Sequence, residues 1–125
     1  MERNGRRCWL VPKGNSTNYF NMQVNKAFRP ETGKPLQIDL AYLDLGSGAI
    51  ALDYDSTDTS LPDGGAYKRS PSIVHLMNTG QWKLAHFQIN DARFAGREKD
   101  EADFRFAATG DNLIVSGVQV QRMNR

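Results

Sequence analysis

Apolar and polar residues alternate along several short stretches of this chain, with the period of two that is typical of a β-strand. The alternation is clearest in 19–24 and in 117–121. No stretch keeps the repeat of about 3.6 residues that an amphipathic helix needs. Clusters of Gly, Pro, Asn and Asp interrupt the chain at short intervals, which is typical of the turns between strands. The pattern therefore predicts an all-β domain.

Eight strands account for the alternating and apolar stretches, and they are predicted at roughly 8–12, 19–24, 36–43, 49–54, 72–78, 82–89, 104–108 and 113–122. So many strands in a chain of this length favour two packed antiparallel sheets, a β-sandwich of the jelly-roll type. Residues 55–71 are rich in Ser, Thr, Pro and Asp, so a surface loop is predicted there. The run 97–101 carries both signs of charge without an apolar stripe and predicts a solvated turn or short helix.

Length and composition limit the classes of protein to which this chain can belong. The 125 residues suit one domain, 1–125, and the hydrophobic and charged shares of 39% and 24% are those of an ordinary globular protein. No apolar run approaches the ~20 residues that a membrane-spanning helix needs. The nearly balanced charge, +2 overall, argues against a nucleic-acid partner. The single cysteine, Cys8, excludes an internal disulfide and is predicted to be a small buried hydrophobe.

The polar side of the predicted strands is unusual, because its residues are repeatedly Asn, Gln or His. A strand face that only meets water usually carries Lys, Glu and Thr. Amide side chains are uncharged and offer a hydrogen-bond donor beside an acceptor, which suits a neutral ligand covered with hydroxyl groups. That ligand class is carbohydrate. The candidate hydrogen-bonding residues are Asn21, Gln23, His75, His86, Gln88, Gln119 and Gln121.

Both histidines lie on the polar side of consecutive predicted strands, 72–78 and 82–89. Consecutive strands are often neighbours in a sheet. We therefore expect His75, His86 and Gln88 to line one groove. The alternative is that each histidine is a half-exposed strand residue without a partner.

A sugar-binding site also needs an aromatic ring, because the apolar face of a pyranose packs on a flat ring. Tyr67 lies inside the polar segment 55–71, where an aromatic residue has little structural purpose, and Tyr19 begins a predicted strand. These two tyrosines are the predicted stacking rings. Trp82 also begins a strand and is interpreted instead as a structural plug at the end of the sandwich.

Acidic residues cluster at Asp53, Asp55 and Asp58, and carboxylate oxygens in a loop are typical ligands of calcium. One interpretation is a structural Ca²⁺ that these three residues hold. The alternative is that they hydrogen-bond the local backbone, as Asp residues in turns usually do.

No catalytic constellation is visible in the sequence. A glycosidase needs two carboxyl groups about 5 to 10 Å apart, whereas Asp39 is the one acid that lies clearly inside a predicted strand. The motifs of serine hydrolases, zinc proteases and phosphate-binding loops are absent. The chain is therefore predicted not to be an enzyme.

Residues from about 19 to 122 resemble the non-catalytic carbohydrate-binding modules that are attached to glycoside hydrolases and other secreted polysaccharide-active enzymes. The segments that carry the resemblance include Tyr-Leu-Asp-Leu-Gly at 42–46, Thr-Gly-Gln-Trp-Lys at 79–83, Asp-Ala-Arg-Phe at 91–94, Asp-Phe-Arg-Phe at 103–106 and Val-Gln-Val at 118–120. The resemblance implies a jelly roll, a glycan ligand, no catalysis and often a structural calcium. It also implies a secreted parent protein with a covalently linked catalytic domain.

The expected function is the binding of a soluble polysaccharide or oligosaccharide chain in a groove. A flat crystalline surface is not expected as the ligand, because the chain lacks a row of tryptophans. Two alternatives stay open. One is a small jelly-roll polysaccharide lyase, and the residues that it would use for proton transfer and uronate neutralisation are His75, His86, Gln88, Arg105 and a tyrosine. The other is a spacer or docking domain without a ligand.

Overall fold

The computed structural model describes residues 2–3, 5–12, 17–25, 27–31 and 33–123. The ten strands in these ranges are β1 (Glu2–Arg3), β2 (Arg6–Arg7), β3 (Trp9–Val11), β4 (Asn18–Met22), β5 (Leu36–Leu43), β6 (Gly48–Tyr54), β7 (Lys68–His75), β8 (Trp82–Ile89), β9 (Phe104–Gly110) and β10 (Leu113–Arg122). Two short 3-10 helices, Pro62–Gly65 and Lys99–Glu101, lie in loops. Within the described ranges, no helix is long and apolar enough to cross a membrane.

Eight of the strands form two four-stranded antiparallel sheets. Sheet I has the order β3-β10-β5-β8, and sheet II has the order β4-β9-β6-β7. Along the chain, strands alternate between the sheets except where β6 is followed by its neighbour β7, which is the connectivity of a jelly roll. The short strands β1 and β2 pair with each other separately. The predicted all-β, two-sheet jelly roll is confirmed.

The core lies between the two sheets and is built from the inward-facing side of each strand. In β5, for example, Leu36, Ile38 and Leu40 are buried at alternate positions and belong to this core. Phe87 of sheet I and Phe106 of sheet II meet across it, with their ring centroids 5.8 Å apart. Because successive side chains of a strand point to opposite faces, the residues between these core positions are displayed on the outer faces of the sheets.

Asp44 directly follows β5 and is fully buried. Its side chain holds the loop between β7 and β8 in place. Its carboxylate accepts hydrogen bonds from the backbone N–H groups of Met77 (2.6 Å) and Thr79 (3.3 Å) and from the Thr79 hydroxyl (2.7 Å). The ammonium group of Lys83 pairs with it at 2.9 Å. Burial raises the pKa of Asp44, but the hydrogen bonds from Lys83, Met77 and Thr79 outweigh burial and hold the pKa well below its ordinary value.

Three sequence-based expectations about loops need correction. Strand β7 begins at Lys68 rather than near residue 72, so the loop predicted to extend to residue 71 ends earlier. Asp55 and Ser56, at the start of that loop, are fully buried rather than on the surface. The run 97–101, predicted as solvated, contains the buried Glu98. Polar composition does not indicate such burial, because compensating hydrogen bonds come from residues that are distant in the sequence.

Trp82 does not plug the end of the sandwich between its sheets, and that interpretation is wrong. The side chain is half-buried on the outer side of sheet I and packs against Cys8, Leu43 and Ile114, a small apolar cluster separate from the main core. The guanidinium group of Arg6 lies 5.1 Å from the centroid of its ring. Cys8 is a buried hydrophobe, as predicted.

Candidate functional site

The ligand-binding residues predicted from the sequence are divided between the outer faces of the two sheets. Those on sheet II, or directly before its strand β7, are Tyr19, Asn21, Tyr67 and His75. Those on sheet I are His86, Gln88, Gln119 and Gln121. Gln23 lies beyond β4, where its amide donates to the carbonyl oxygen of Glu101 at 3.0 Å. The predicted residues therefore form two separate groups rather than one.

The two histidines do not share a groove, and this prediction is wrong. The chain crosses from sheet II to sheet I after β7, so β7 and β8 are not neighbours in one sheet. Strand β7 is an edge strand of sheet II, and β8 is an edge strand of sheet I. His75 therefore lies on the opposite side of the sandwich from His86 and Gln88. The residues of the lyase alternative are separated in the same way, since Arg105 belongs to sheet II.

On sheet II, two tyrosine rings bracket one arginine. The guanidinium group of Arg105, on β9, lies 3.8 Å from the ring centroid of Tyr19 and 4.3 Å from that of Tyr67. This arrangement is favourable because the positive charge faces the electron-rich side of each ring. We call the surrounding surface the tyrosine face, and its members are Tyr19, Asn21, Asp53, Tyr67, Arg69 and Arg105.

Asp53 holds the arginines of the tyrosine face in place. It lies on β6, directly opposite Arg69 of β7 and Arg105 of β9 in the sheet register. Its buried carboxylate accepts hydrogen bonds from Arg69 at 2.9 and 3.3 Å and from Nε of Arg105 at 3.1 Å. Pairing across three adjacent strands therefore fixes both guanidinium groups. Two arginines against one carboxylate leave this trio with a positive net charge.

A buried acid, Glu98, interacts electrostatically with Arg105. Its neighbour Lys99 donates its backbone N–H to the Tyr67 hydroxyl at 2.8 Å, which ties this segment to the tyrosine face. Neither carboxyl oxygen of Glu98 has a hydrogen-bond partner among the described residues. Burial raises the pKa of Glu98 to about 8, and the charge of Arg105 lowers it only in part. Glu98 therefore carries a proton through most of the neutral range.

We expect Glu98→Gln to stabilise the protein increasingly as the pH rises from about 5 to about 8. In this range the folded wild type keeps a proton that the unfolded chain, with a glutamate pKa of about 4.3, has released. The free energy of unfolding of the wild type therefore falls with pH, and glutamine removes that fall because it does not ionise. Urea unfolding of both proteins across this range measures the difference. A difference that does not grow with pH would contradict the protonated state of Glu98.

The three carboxylates predicted to bind calcium face cationic side chains instead. Asp53 is held by the two arginines of the tyrosine face, Asp55 accepts from Nε of Arg97 at 2.7 Å, and Asp58 pairs with Lys68 at 3.2 Å. Across the part of the chain that the structure describes, no group of three or more His, Cys, Asp or Glu residues could hold a metal ion. These residues therefore do not fit the structural calcium that the sequence suggests.

Removal of divalent cations is accordingly expected to leave the stability unchanged. The midpoint of thermal unfolding should be the same in EDTA as in excess calcium. An ion that binds the folded state raises this midpoint by mass action, so a calcium-dependent rise would contradict the geometry at Asp53, Asp55 and Asp58.

The outer face of sheet I carries a second polar cluster, spread over β10, β5 and β8. Its residues stand in two rows across these strands. One row is Gln121, Gln37 and Gln88, and the other is Gln119, Asp39 and His86. We call this surface the glutamine face.

Asp39 is the centre of a hydrogen-bonded network on the glutamine face. Its largely buried carboxylate accepts from the amides of Gln37 at 2.9 Å and Gln121 at 3.0 Å, and it lies 2.5 Å from Nδ1 of His86. The amide of Gln88 donates to that of Gln37 at 3.2 Å. Side chains from three strands are therefore linked into one unit.

Gln37 and Asp39 are not among the binding residues predicted from the sequence. A signal for Gln37 exists, since it alternates with the core residues Leu36 and Ile38 as the other amides alternate with theirs. Asp39 stands out in the sequence as an acid inside a strand, but its role as the anchor of amides depends on neighbours from two other strands.

Known structures identify the fold class. No protein-family model matches the sequence, and no curated protein matches it. A crystal structure described as a non-crystalline cellulose specific carbohydrate-binding module, CBM28, is similar with a TM-score of 0.54 and 14% identity, over 97% of this chain and 78% of its own. A structure described as "CBM4 structure and function" has a TM-score of 0.51 and 11% identity, over 96% of this chain and 85% of its own. The chain therefore has the β-sandwich fold of carbohydrate-binding modules.

Proposed function

We propose that this domain is a non-catalytic carbohydrate-binding module that binds a soluble polysaccharide or oligosaccharide chain through the tyrosine face. The observation that carries the proposal is the position of Arg105 between the rings of Tyr19 and Tyr67, at 3.8 and 4.3 Å. Both rings that the sequence predicts as stacking platforms thereby belong to one surface, although they come from distant parts of the chain.

The tyrosine face has the two kinds of groups that hold a sugar. Tyr19 is 44% exposed, so its ring is open to pack against the C–H face of a pyranose. Arg69 and Asn21 are exposed on strands of the same sheet and supply N–H donors for hydroxyl oxygens. Because Asp53 holds the guanidinium groups before the ligand arrives, less side-chain entropy is lost on binding.

Similarity to carbohydrate-binding modules supports this proposal at the level of the fold. One of those modules is described as specific for non-crystalline cellulose. A non-crystalline chain also suits this domain, because its two tryptophans do not form a row of exposed rings. Trp9 is exposed, whereas Trp82 is half-buried and the guanidinium group of Arg6 lies over its ring. A flat crystal surface would require a row of such rings.

We also propose that the module is secreted and is covalently linked to a polysaccharide-active catalytic domain. The basis is the sequence resemblance to modules attached to such enzymes. Linkage raises the local concentration of the catalytic domain at the polysaccharide, which explains how a domain without catalysis contributes to degradation. An antibody against this domain tests the proposal on the native protein. A cell-associated band no larger than the domain itself would contradict it.

Affinity electrophoresis against a panel of soluble polysaccharides tests the binding function. We expect slower migration in gels that contain at least one of them, with serum albumin as a control that is not retarded. Unchanged migration on the whole panel would count against carbohydrate binding and favour a spacer or docking domain. Incubation with uronate polymers tests the lyase alternative, and no ultraviolet absorbance from an unsaturated product is expected.

A further inference from the structure

We propose that the glutamine face is a second glycan-binding site, which takes a neutral polysaccharide chain on the side of the sandwich opposite the tyrosine face. Sheets I and II pack on a common core through their inner sides, so their outer faces are accessible to separate ligands. The inference goes beyond the proposed function, because it adds a second site of different chemistry.

The glutamine face differs from a β-sheet surface that only meets water. Solvated sheets usually carry lysine and other charged residues that keep them soluble. The described strands β5, β8 and β10 contribute no lysine or arginine to the outward positions that form this surface. These positions are Gln37, Asp39, Ala41, Leu43, Trp82, Leu84, His86, Gln88, Gly117, Gln119 and Gln121. Asp39 as a residue is only 6% exposed. The exposed hydrogen-bonding groups are therefore mainly amides.

The amides keep hydrogen-bonding capacity for a ligand. An amide side chain has two N–H donors and one acceptor oxygen. Among the described residues, the hydrogen bonds of Gln88 and Gln121 use one N–H group each. Both side chains are exposed, so their remaining groups meet solvent. Donors and acceptors side by side match sugar hydroxyl groups, which act as both.

Asp39 gives this surface the rigidity that a binding site needs. Its carboxylate anchors Gln37, Gln121 and His86 at 2.5 to 3.0 Å, and Gln37 in turn holds Gln88. Glutamine is a flexible residue, and fixing it before binding lowers the entropy lost when a ligand arrives. A network that only solubilised the sheet would have no need of this order.

The polar rows continue into an apolar area on the same face. The next row of the register is Gly117, Ala41 and Leu84, and the row beyond it contains Leu43 and Trp82. Leu84 is 56% exposed, and a Cβ atom added at Gly117 would meet no atom within 4 Å. Small residues beside an exposed leucine leave space for the apolar side of a pyranose next to the glutamines.

The charge of this face selects a neutral chain over an acidic one. The network is built around one carboxyl side chain, Asp39, and the three described strands that carry it contribute no lysine or arginine to this face that would attract a uronate. An acidic chain would be attracted instead to Arg69 and Arg105 of the tyrosine face, on the other side of the sandwich. A neutral polysaccharide is therefore the ligand that the glutamine face fits.

Nuclear magnetic resonance of ¹⁵N-labelled protein separates the two faces. Soluble oligosaccharides of β-glucan, xylan and mannan are titrated into the wild-type domain and into Tyr19→Ala, which changes only the tyrosine face. We expect saturable shifts of the side-chain amide signals of Gln37, Gln88 and Gln121 with at least one oligosaccharide. These shifts should persist in Tyr19→Ala.

Two substitutions on the glutamine face test whether these shifts report binding there. Gln88→Ala and His86→Ala should each raise the dissociation constant measured from the remaining signals by on the order of tenfold, because each removes a hydrogen bond to the ligand. Gln81→Ala is the matched control, since Gln81 is an exposed glutamine in the β7–β8 loop and belongs to neither of the two rows of the glutamine face. Backbone spectra of the variants show whether the fold is retained.

Each proposed site fails independently of the other. Shifts restricted to the tyrosine face with every neutral oligosaccharide would overturn the second site and leave the proposed function intact. Shifts at the glutamine face that neither Gln88→Ala nor His86→Ala weakens would also overturn it. Shifts at the glutamine face alone would support the second site, and a spectrum without any shifts would overturn it. Binding at the tyrosine face, whose arginines favour acidic chains, is tested separately by affinity electrophoresis on the full polysaccharide panel.

Discussion

Replacement of Tyr19 by alanine is expected to weaken glycan binding by about 2 kcal/mol, or roughly thirtyfold in dissociation constant. The substitution removes the more exposed of the two rings that bracket Arg105, and with it the platform for the apolar side of a pyranose. Isothermal titration calorimetry with a polysaccharide that retards the wild type measures the loss.

The matched control for this prediction is Tyr19→Phe. Phenylalanine keeps the ring and its contact with the guanidinium group of Arg105 but removes the hydroxyl, so its affinity should stay close to that of the wild type. An equal loss in both variants would assign the effect to the hydroxyl group. Wild-type affinity in Tyr19→Ala would show that the ring does not take part in binding.

Asp44→Ala is expected to lower the free energy of unfolding by about 3–5 kcal/mol. The substitution leaves the ammonium group of Lys83 without its buried partner and removes the acceptor for the N–H groups of Met77 and Thr79. Urea unfolding measures the change. Glu31→Ala is the control, since Glu31 is exposed and its loss should change stability by no more than about 0.5 kcal/mol.

The same carboxylate makes the fold sensitive to acid. Because the pKa of Asp44 is lower in the folded state than in the unfolded chain, its stabilisation is present above about pH 4 and is lost as the pH falls through the folded value. Acid should therefore destabilise Asp44→Ala less than it destabilises the wild type. If Asp44→Ala lowers the free energy of unfolding by no more than Glu31→Ala does, Asp44 does not have the stabilising role assigned to it.

The fold is predictable from the sequence because alternation and turn residues are local signals. The strands expected at 36–43, 82–89 and 113–122 have these same bounds in the structure. Among the eight predicted strands, β7 departs furthest from its expected bounds, since its first four residues, Lys68 to Pro71, are polar or proline and show no alternation with apolar residues. The short strands β1 and β2 are not predicted from the sequence. Strand β7 lies at the edge of sheet II, where proline and polar residues are tolerated.

The assembly of the binding surfaces is not predictable in the same way. Alternation indicates that Tyr19 and His86 face outward, but it does not indicate in which sheet each strand lies. Tyr19 and Tyr67 share Arg105 for two reasons. The register of β4 on β9 places Arg105 opposite Asn21, two residues from Tyr19, and the segment before β7 brings Tyr67 to the same guanidinium group. Arg69 gives no signal of its own in the sequence, because arginines are common on protein surfaces. The sequence indicates Arg105 only as a residue of the lyase alternative and does not indicate the two rings beside it.

The two proposed faces give one small domain two different ligand preferences. Arg69 and Arg105 make the tyrosine face positive, whereas the glutamine face offers amides around Asp39. A domain with both sites can hold two chains, or two segments of one chain, and simultaneous binding strengthens attachment without any new contact. We expect such a domain to be retained more strongly on long polysaccharides than its affinity for short oligosaccharides suggests.

A crystal structure of the domain with an oligosaccharide from a polysaccharide that retards it tests the central claim most directly. The account predicts a sugar ring packed on Tyr19, with a hydroxyl oxygen about 3 Å from the guanidinium group of Arg69 or Arg105. A saturated complex in which the tyrosine face carries no sugar would contradict it.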